Sequence, residues 1–189
     1  MKILSIDFDY FIDADIATRD EKFPVAEEIQ SEEEIQRVWN ECYEHYPEIK
    51  DIGVIDDFNI MLKYLKEHPY IPCVAKDNHG CIYDETTSAQ DLKIVNIDFH
   101  HDRYIGGRAS QLDCSNWVRF VEEEHPDLKM KWVKRSDSET TSLIGDFPYE
   151  TTEDLASVLD EDYDLIFLCF SPEWTPPHLR DKYFMLYYH

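Results

Sequence analysis

Four short apolar runs, residues 2–8, 70–75, 92–97 and 164–170, each break off into acid, histidine or a proline-fixed turn. Runs of four to eight apolar residues with such flanks read as buried strands. The stretches between them carry helical spacing. Ser31-Glu32-Glu33-Glu34 has the pattern of a capping box, and Ile35, Val38, Trp39, Cys42, Tyr43 and Tyr46 follow at helical intervals until Pro47. A second helix is expected over residues 57–68, with Phe58, Met61, Leu62 and Leu65 on its core face. Asp113 or Ser115 can cap a third that carries Trp117, Phe120 and Val121. Residues 129–133 read as a further strand, and the polar residues 134–152 as a long loop. Thr151 or Thr152 can cap a short helix ending at Leu159. A last helix would bury Leu179, Tyr183, Leu186 and Tyr187. Strands that alternate with helices predict an α/β fold with a mostly parallel sheet. No linker or repeat divides the chain, so one domain over residues 1–189 is expected.

Hydrophobic residues make up 43% of the 189, enough to bury a sizeable core. The net charge of −23 argues against nucleic acid as a partner, because phosphate binding needs a basic face. A cationic substrate, a basic peptide or metal ions fit that charge better. No run approaches the length of a membrane span, so no membrane partner is expected. The start, Met1-Lys2-Ile3-Leu4-Ser5-Ile6-Asp7, meets acid too early for a secretory signal. Five cysteines without C-x-x-C spacing read as reduced thiols. A cytoplasmic protein is expected, of open oligomeric state.

The chemistry gathers where the strands end. Asp98, His100 and Asp102 follow the run 92–97 at spacings of two, so in extended backbone they face one side. His101 lies between them and faces away. Asp7 and Asp9 end the first strand, Asp77 and His79 follow the second, and Glu173 follows the last. In an open parallel sheet the carboxyl ends of the strands share one edge, where ligands bind. Each pair alone has an ordinary explanation: Asp7 and Asp9 as a strand end with acidic turn residues, His79 as a hydrogen-bonded turn histidine. Together, Asp7, Asp9, His79, Asp98, His100 and Asp102 are enough donors for two metal ions with a shared carboxylate. Oxygen and nitrogen donors together suit Mn, Fe, Ni or Zn. Two ions that share a water turn it into a nucleophile near neutral pH.

These residues also carry a resemblance. Asp98-Phe99-His100-His101-Asp102 is similar to the D-x-H-x-D metal motif of the arginase/ureohydrolase superfamily. Asp77-Asn78-His79-Gly80 resembles the turn that holds its other metal histidine, and Ser5-Ile6-Asp7-Phe8-Asp9 resembles its S-x-D-x-D motif. In arginases that last motif comes late; here it comes first, as after a circular permutation. With the closing Ser171-Pro172-Glu173-Trp174-Thr175-Pro176, the set resembles the small arginase-like UPF0489 family and spans residues 5–177. The resemblance implies a three-layer arginase-like fold and a peptide arginase. Such enzymes hydrolyse arginine side chains in a ribosomally made precursor peptide to ornithine and urea, with two Mn2+ ions as cofactor. It implies that Asp102 holds metal and orients the attacking water. Glu173 is the candidate to grip the guanidinium by paired hydrogen bonds, or is itself a metal ligand. His101 is the candidate proton donor to the leaving amine. Asn116, Trp117 and Trp174 are candidates to line the substrate channel, with a helix cap the plainer reading of Asn116, a core aromatic that of Trp117 and a core anchor that of Trp174.

Two alternatives explain less. Asp7-Phe8-Asp9 after a strand also matches the D-x-D motif of haloacid dehalogenase-like phosphatases, with Gly145-Asp146 as a later acidic motif. That reading leaves His79, His100 and Asp102 without a role. The other is a non-catalytic acidic module that binds a basic peptide.

Overall fold

Strand β1 (Lys2–Asp7) runs through the interior of a sheet with neighbours on both sides, β3 (Lys93–Ile97) and β6 (Leu165–Cys169). The computed structural model describes residues 1–24, 31–104, 111–138 and 147–189. Beyond β6 lies β2 (Cys73–Lys76), and beyond β3 lie β4 (Lys129–Val133) and β5 (Glu150–Thr152). The order is β2-β6-β1-β3-β4-β5, and every pairing is parallel. The four strands whose ends carry the acids and histidines are therefore contiguous, and all four ends reach one edge of the sheet.

Period-two alternation divides the interior strands between two cores. Leu4 and Ile6, Val95 and Ile97, Ile166 and Leu168 face one of them. It is covered by α2 (Glu32–His45), α3 (Asp57–Glu67), α6 (Leu155–Leu159) and α7 (Arg180–Tyr187), which bury Trp39, Phe58, Leu155 and Tyr183 there. Ile3, Ile94, Leu165 and Phe167 face the other core, under α4 (Ile82–Thr86) and α5 (Trp117–Glu124). The result is a three-layer α/β fold, as expected for strands buried on both faces. Helix α1 (Ile16–Lys22) follows a 3-10 turn, Phe8–Phe11, at the end of β1.

Local chemistry sets the boundaries. Ser31 accepts from the Glu34 amide, the N-cap half of the capping box read for α2. The core face read for α3 is buried at Phe58, Met61, Leu62 and Leu65. The strand expected over 70–75 starts later, at Cys73: Pro72 has no N–H to donate, and only its carbonyl joins the ladder, to Ile166 N at 2.9 Å. Asn116, not Asp113 or Ser115, holds the N-cap position of α5, while Asp113 accepts from the Ser115 amide. The stretch 134–152 is not all loop. Glu150–Thr152 pairs with β4, whose far edge is open to a β-branched segment. Thr151 and Thr152 are thereby taken up in β5, and Asp154 caps α6 instead. The middle of that stretch, with Gly145 and Asp146, lies outside the described residues. In α7, Leu186 is buried and Tyr187 is exposed, a turn of 100° further round the helix. Among the described residues no helix is long and apolar enough to cross a membrane.

Candidate metal centre

Ser5 and Asp7 lie on the same side of β1 as Ile3, and Asn96 and Asp98 on the same side of the sheet as Ile94. Polar side chains thus follow apolar ones up the face covered by α4 and α5, and emerge at its carboxyl edge. The turn after β2 delivers His79 to the same place. There Asn78 Oδ1 accepts from Gly80 N at 2.8 Å. A Cβ on Gly80 would lie 2.9 Å from the Asp113 carbonyl oxygen, so the turn presses against the 113–116 loop at a point where only glycine fits.

His79 is wholly buried, stacked on Phe167 with ring centroids 5.8 Å apart and tilted against Trp117 at 5.0 Å. Its Nε2 lies 2.6 Å from Ser5 Oγ. Its Nδ1 faces three carboxylates: Asp102 Oδ2 at 3.0 Å, Asp7 Oδ2 at 3.3 Å and Asp98 Oδ2 at 3.3 Å. None of these oxygens is aligned to form a hydrogen bond with Nδ1, which is left without a partner. Three oxygens that crowd one nitrogen without bonding to it mark a point that a cation would fill. Donors about 2.1 Å from a first-row ion are about 3.0 Å apart when they subtend a right angle at it, so the spacing fits.

Each of the three acids is braced. Ser171 Oγ donates to Asp7 Oδ2 at 2.5 Å, and Asn96 Nδ2 to Asp98 Oδ2 at 3.2 Å. The His100 amide donates to Asp98 Oδ1 at 2.8 Å, and Trp117 Nε1 to Asp102 Oδ2 at 2.6 Å. Asp102 and Ser171 have φ of 52° and 46°. Non-glycine residues in that region are uncommon and cluster at functional sites.

A second group adjoins the first. Asp9, Asp98 and His100 each offer a donor atom within 4.8 Å of the others, as do Asp7, His79 and Asp98. Asp98 belongs to both. His100 Nδ1 lies 3.0 Å from Asp9 Oδ2, and Arg19 Nη1 lies 3.4 Å from the same oxygen.

The electrostatics favour positive charge here. Asp7, Asp9, Asp98 and Asp102 are all at most 6% exposed. Among the described residues, Arg19 is the one Lys or Arg that pairs with any of them. An uncompensated buried carboxylate costs on the order of several kcal/mol. Burial, with Asp102 and Asp9 beside it, pushes the Asp98 carboxyl up to about 8. Burial and Asp9 push Asp7 to about 6. Burial also opposes ionisation of Asp9, but His100, Arg19 and the Phe99 amide outweigh it and bring the carboxyl down to about 2. His79 and His100 are shifted the opposite way to what burial alone would do, because carboxylates surround them; His100 rises to about 9. The donor set, its spacing and its surplus of negative charge all fit divalent cations.

Ser5, His79 and Asp102 superficially resemble a nucleophile–base–acid relay. Ser5, however, is wholly buried in the central strand, where no substrate carbonyl could reach it.

The six residues expected to ligate metal are therefore brought together. The other candidates lie around them. Trp174 stands against His100, ring centroids 4.8 Å apart. Glu173 is half-buried, and its carboxyl is pushed up by burial, Asp7 and Asp77. Asp77 itself is exposed. His101 is buried among rings: Tyr104 at 4.8 Å, Trp132 at 5.7 Å and Phe147 at 5.8 Å, with Nδ1 accepting from the Arg103 amide at 3.0 Å. The Asn116 side chain braces its own loop, donating to Gln111 O and accepting from the Asp113 amide.

Sequence reasoning missed Arg19, because the seven-residue α1 offers no periodicity to place it. It read Trp117 as a core aromatic. The ring is one, and its N–H also holds Asp102. Comparison with family models, with curated proteins and with solved structures finds no match for the chain.

Proposed function

We propose that the chain is a metal-dependent hydrolase of the ureohydrolase type, acting on the guanidinium C–N bond of arginine side chains in a ribosomally made peptide, to give ornithine and urea. The observation that carries this reading is the sharing of Asp98 by two three-donor groups, each with its own histidine. His79, Asp7, Asp98 and Asp102 would hold one ion, and Asp9, Asp98 and His100 the other. Mn2+ is the metal we propose, since mixed carboxylate and imidazole donors suit it. Bound there, a pair of divalent ions lowers the pKa of a shared water towards neutrality.

The chain's own residues supply the rest. Asp102, fixed by Trp117, orients the nucleophile. Glu173 receives the guanidinium by paired hydrogen bonds, or serves as a further ligand. Trp174 forms a flat wall beside His100, suited to an extended side chain. His101 is the proton donor to the leaving amine. Its Nδ1 already accepts from a backbone N–H, so in the neutral ring the proton sits on Nε2. The five cysteines are free thiols, which agrees with the cytoplasm, where we place the protein.

The test is incubation with Mn2+ and an arginine-containing peptide. Urea release with the mass loss of an arginine-to-ornithine change supports the reading. A protein that binds Mn2+ and the peptide yet leaves the mass unchanged contradicts it.

A further inference from the structure

The two-ion reading leaves one buried charge without a task. Arg19 is 3% exposed, yet it stands beside a carboxylate that would bind a cation. Its Nη2 donates to Asp9 O at 2.7 Å, and its Nε to Ala14 O at 3.0 Å. Its guanidinium lies over the Phe99 ring, 3.8 Å from the centroid. Nη1 lies 3.4 Å from Asp9 Oδ2, the oxygen that also faces His100 Nδ1 at 3.0 Å. The other carboxylate oxygen, Oδ1, faces the Phe99 amide at 3.4 Å.

As a point charge, Arg19 opposes a cation at Asp9. Its advantage is geometric. The guanidinium is a rigid planar fork, and here one residue grips both the carbonyl and the carboxylate of Asp9. The acids around His79 are braced differently, by the neutral donors Ser171, Asn96 and Trp117.

We propose that Arg19 is a positioning residue for the second ion: it fixes the Asp9 carboxylate towards His100, and the Asp9–Asp98–His100 group depends on it while the His79 group does not. The assignment rests on the two-ion reading above. It makes the two halves of the centre inequivalent, with the His79 half filled first.

Calorimetric titration with Mn2+ alone, paired with electron paramagnetic resonance of the loaded protein, tests it on the wild type, Arg19→Lys and Arg19→Gln. The lysine keeps the charge and loses the fork. The wild type should take up two ions with the signature of a coupled pair. Both variants should keep the first ion at unchanged affinity, bind the second about tenfold or more weakly, as braces of metal ligands do when removed, and show the spectrum of an isolated ion. The retained first ion reports that the variant is folded. Variants that keep both ions as in the wild type overturn the assignment. So does a second ion that binds more tightly in Arg19→Gln, which would make Arg19 a repelling charge, and so does joint loss of both ions, which would make it a general support of the fold. A wild type that takes up no pair overturns the two-ion reading, and this assignment with it.

Discussion

His79 Nδ1 and Asp98 Oδ2 lie 3.3 Å apart in the buried edge of the sheet, and no hydrogen bond joins them. Asp98 is also within reach of His100 and Asp9. If one carboxylate serves two ions, its loss should empty both positions. Asp98→Ala should reduce Mn2+ from two equivalents to none, measured by equilibrium dialysis and elemental analysis. His100→Ala should leave one equivalent. Equal stoichiometry in the two variants would deny the shared role.

Trp117 offers a way to weaken the centre without touching a ligand. Its Nε1 donates to Asp102 Oδ2 at 2.6 Å, and the rest of the ring is core. Trp117→Phe keeps most of the apolar volume and deletes the donor. Mn2+ affinity should fall by about 10–100-fold, the usual effect of removing a group that braces a ligand. Unchanged affinity would mean that the N–H merely satisfies the acid.

Gly80 tests the turn that delivers His79. A methyl group there would meet the Asp113 carbonyl at 2.9 Å, and backbone cannot easily yield. Gly80→Ala should cost about 1–3 kcal/mol in urea unfolding of the metal-free protein, and should weaken Mn2+ binding as His79 shifts. A variant as stable as the wild type would show that the two loops are free to separate.

Much of this was legible in the sequence, for reasons that can be located. The runs 2–8, 92–97 and 164–170 hold strands because apolar residues on both faces demand a sheet covered on both sides, and Leu4 and Ile3 do face opposite cores. Asp98, His100 and Asp102 stood out because buried charge has few uses at the end of a core strand. What stayed hidden was tertiary. Nothing in the spacing of Arg19 distinguishes it from a solvated helix arginine, and only the fold shows it against Asp9. The strand at Glu150–Thr152 was hidden because three polar residues form it only when β4 presents an edge. His101 was nominated by nearness in sequence and Asn116 as channel lining or a helix cap; the rings around the one and the loop contacts of the other become visible only in the fold.

Proton linkage gives a pH test. Burial and like charges raise Asp98 to about 8 and Asp7 to about 6, so in the metal-free protein these carboxyls hold protons well above the ordinary carboxylate range. A cation must displace them. Mn2+ affinity should therefore rise with pH through the window from about 6 to about 9, the upper end set by His100, whose imidazolium must also lose its proton to ligate. Titrations in buffers of different ionisation enthalpy should show protons released on binding. Affinity independent of pH across that window would mean that the acids are already ionised.

The most direct measurement is anomalous diffraction from crystals grown with Mn2+. Two anomalous peaks are expected at the carboxyl edge of the sheet. One should lie among Asp7, His79, Asp98 and Asp102, the other among Asp9, Asp98 and His100. No peak there, or a single ion that leaves Asp98 Oδ1 and Oδ2 both unligated, would contradict the two-ion reading.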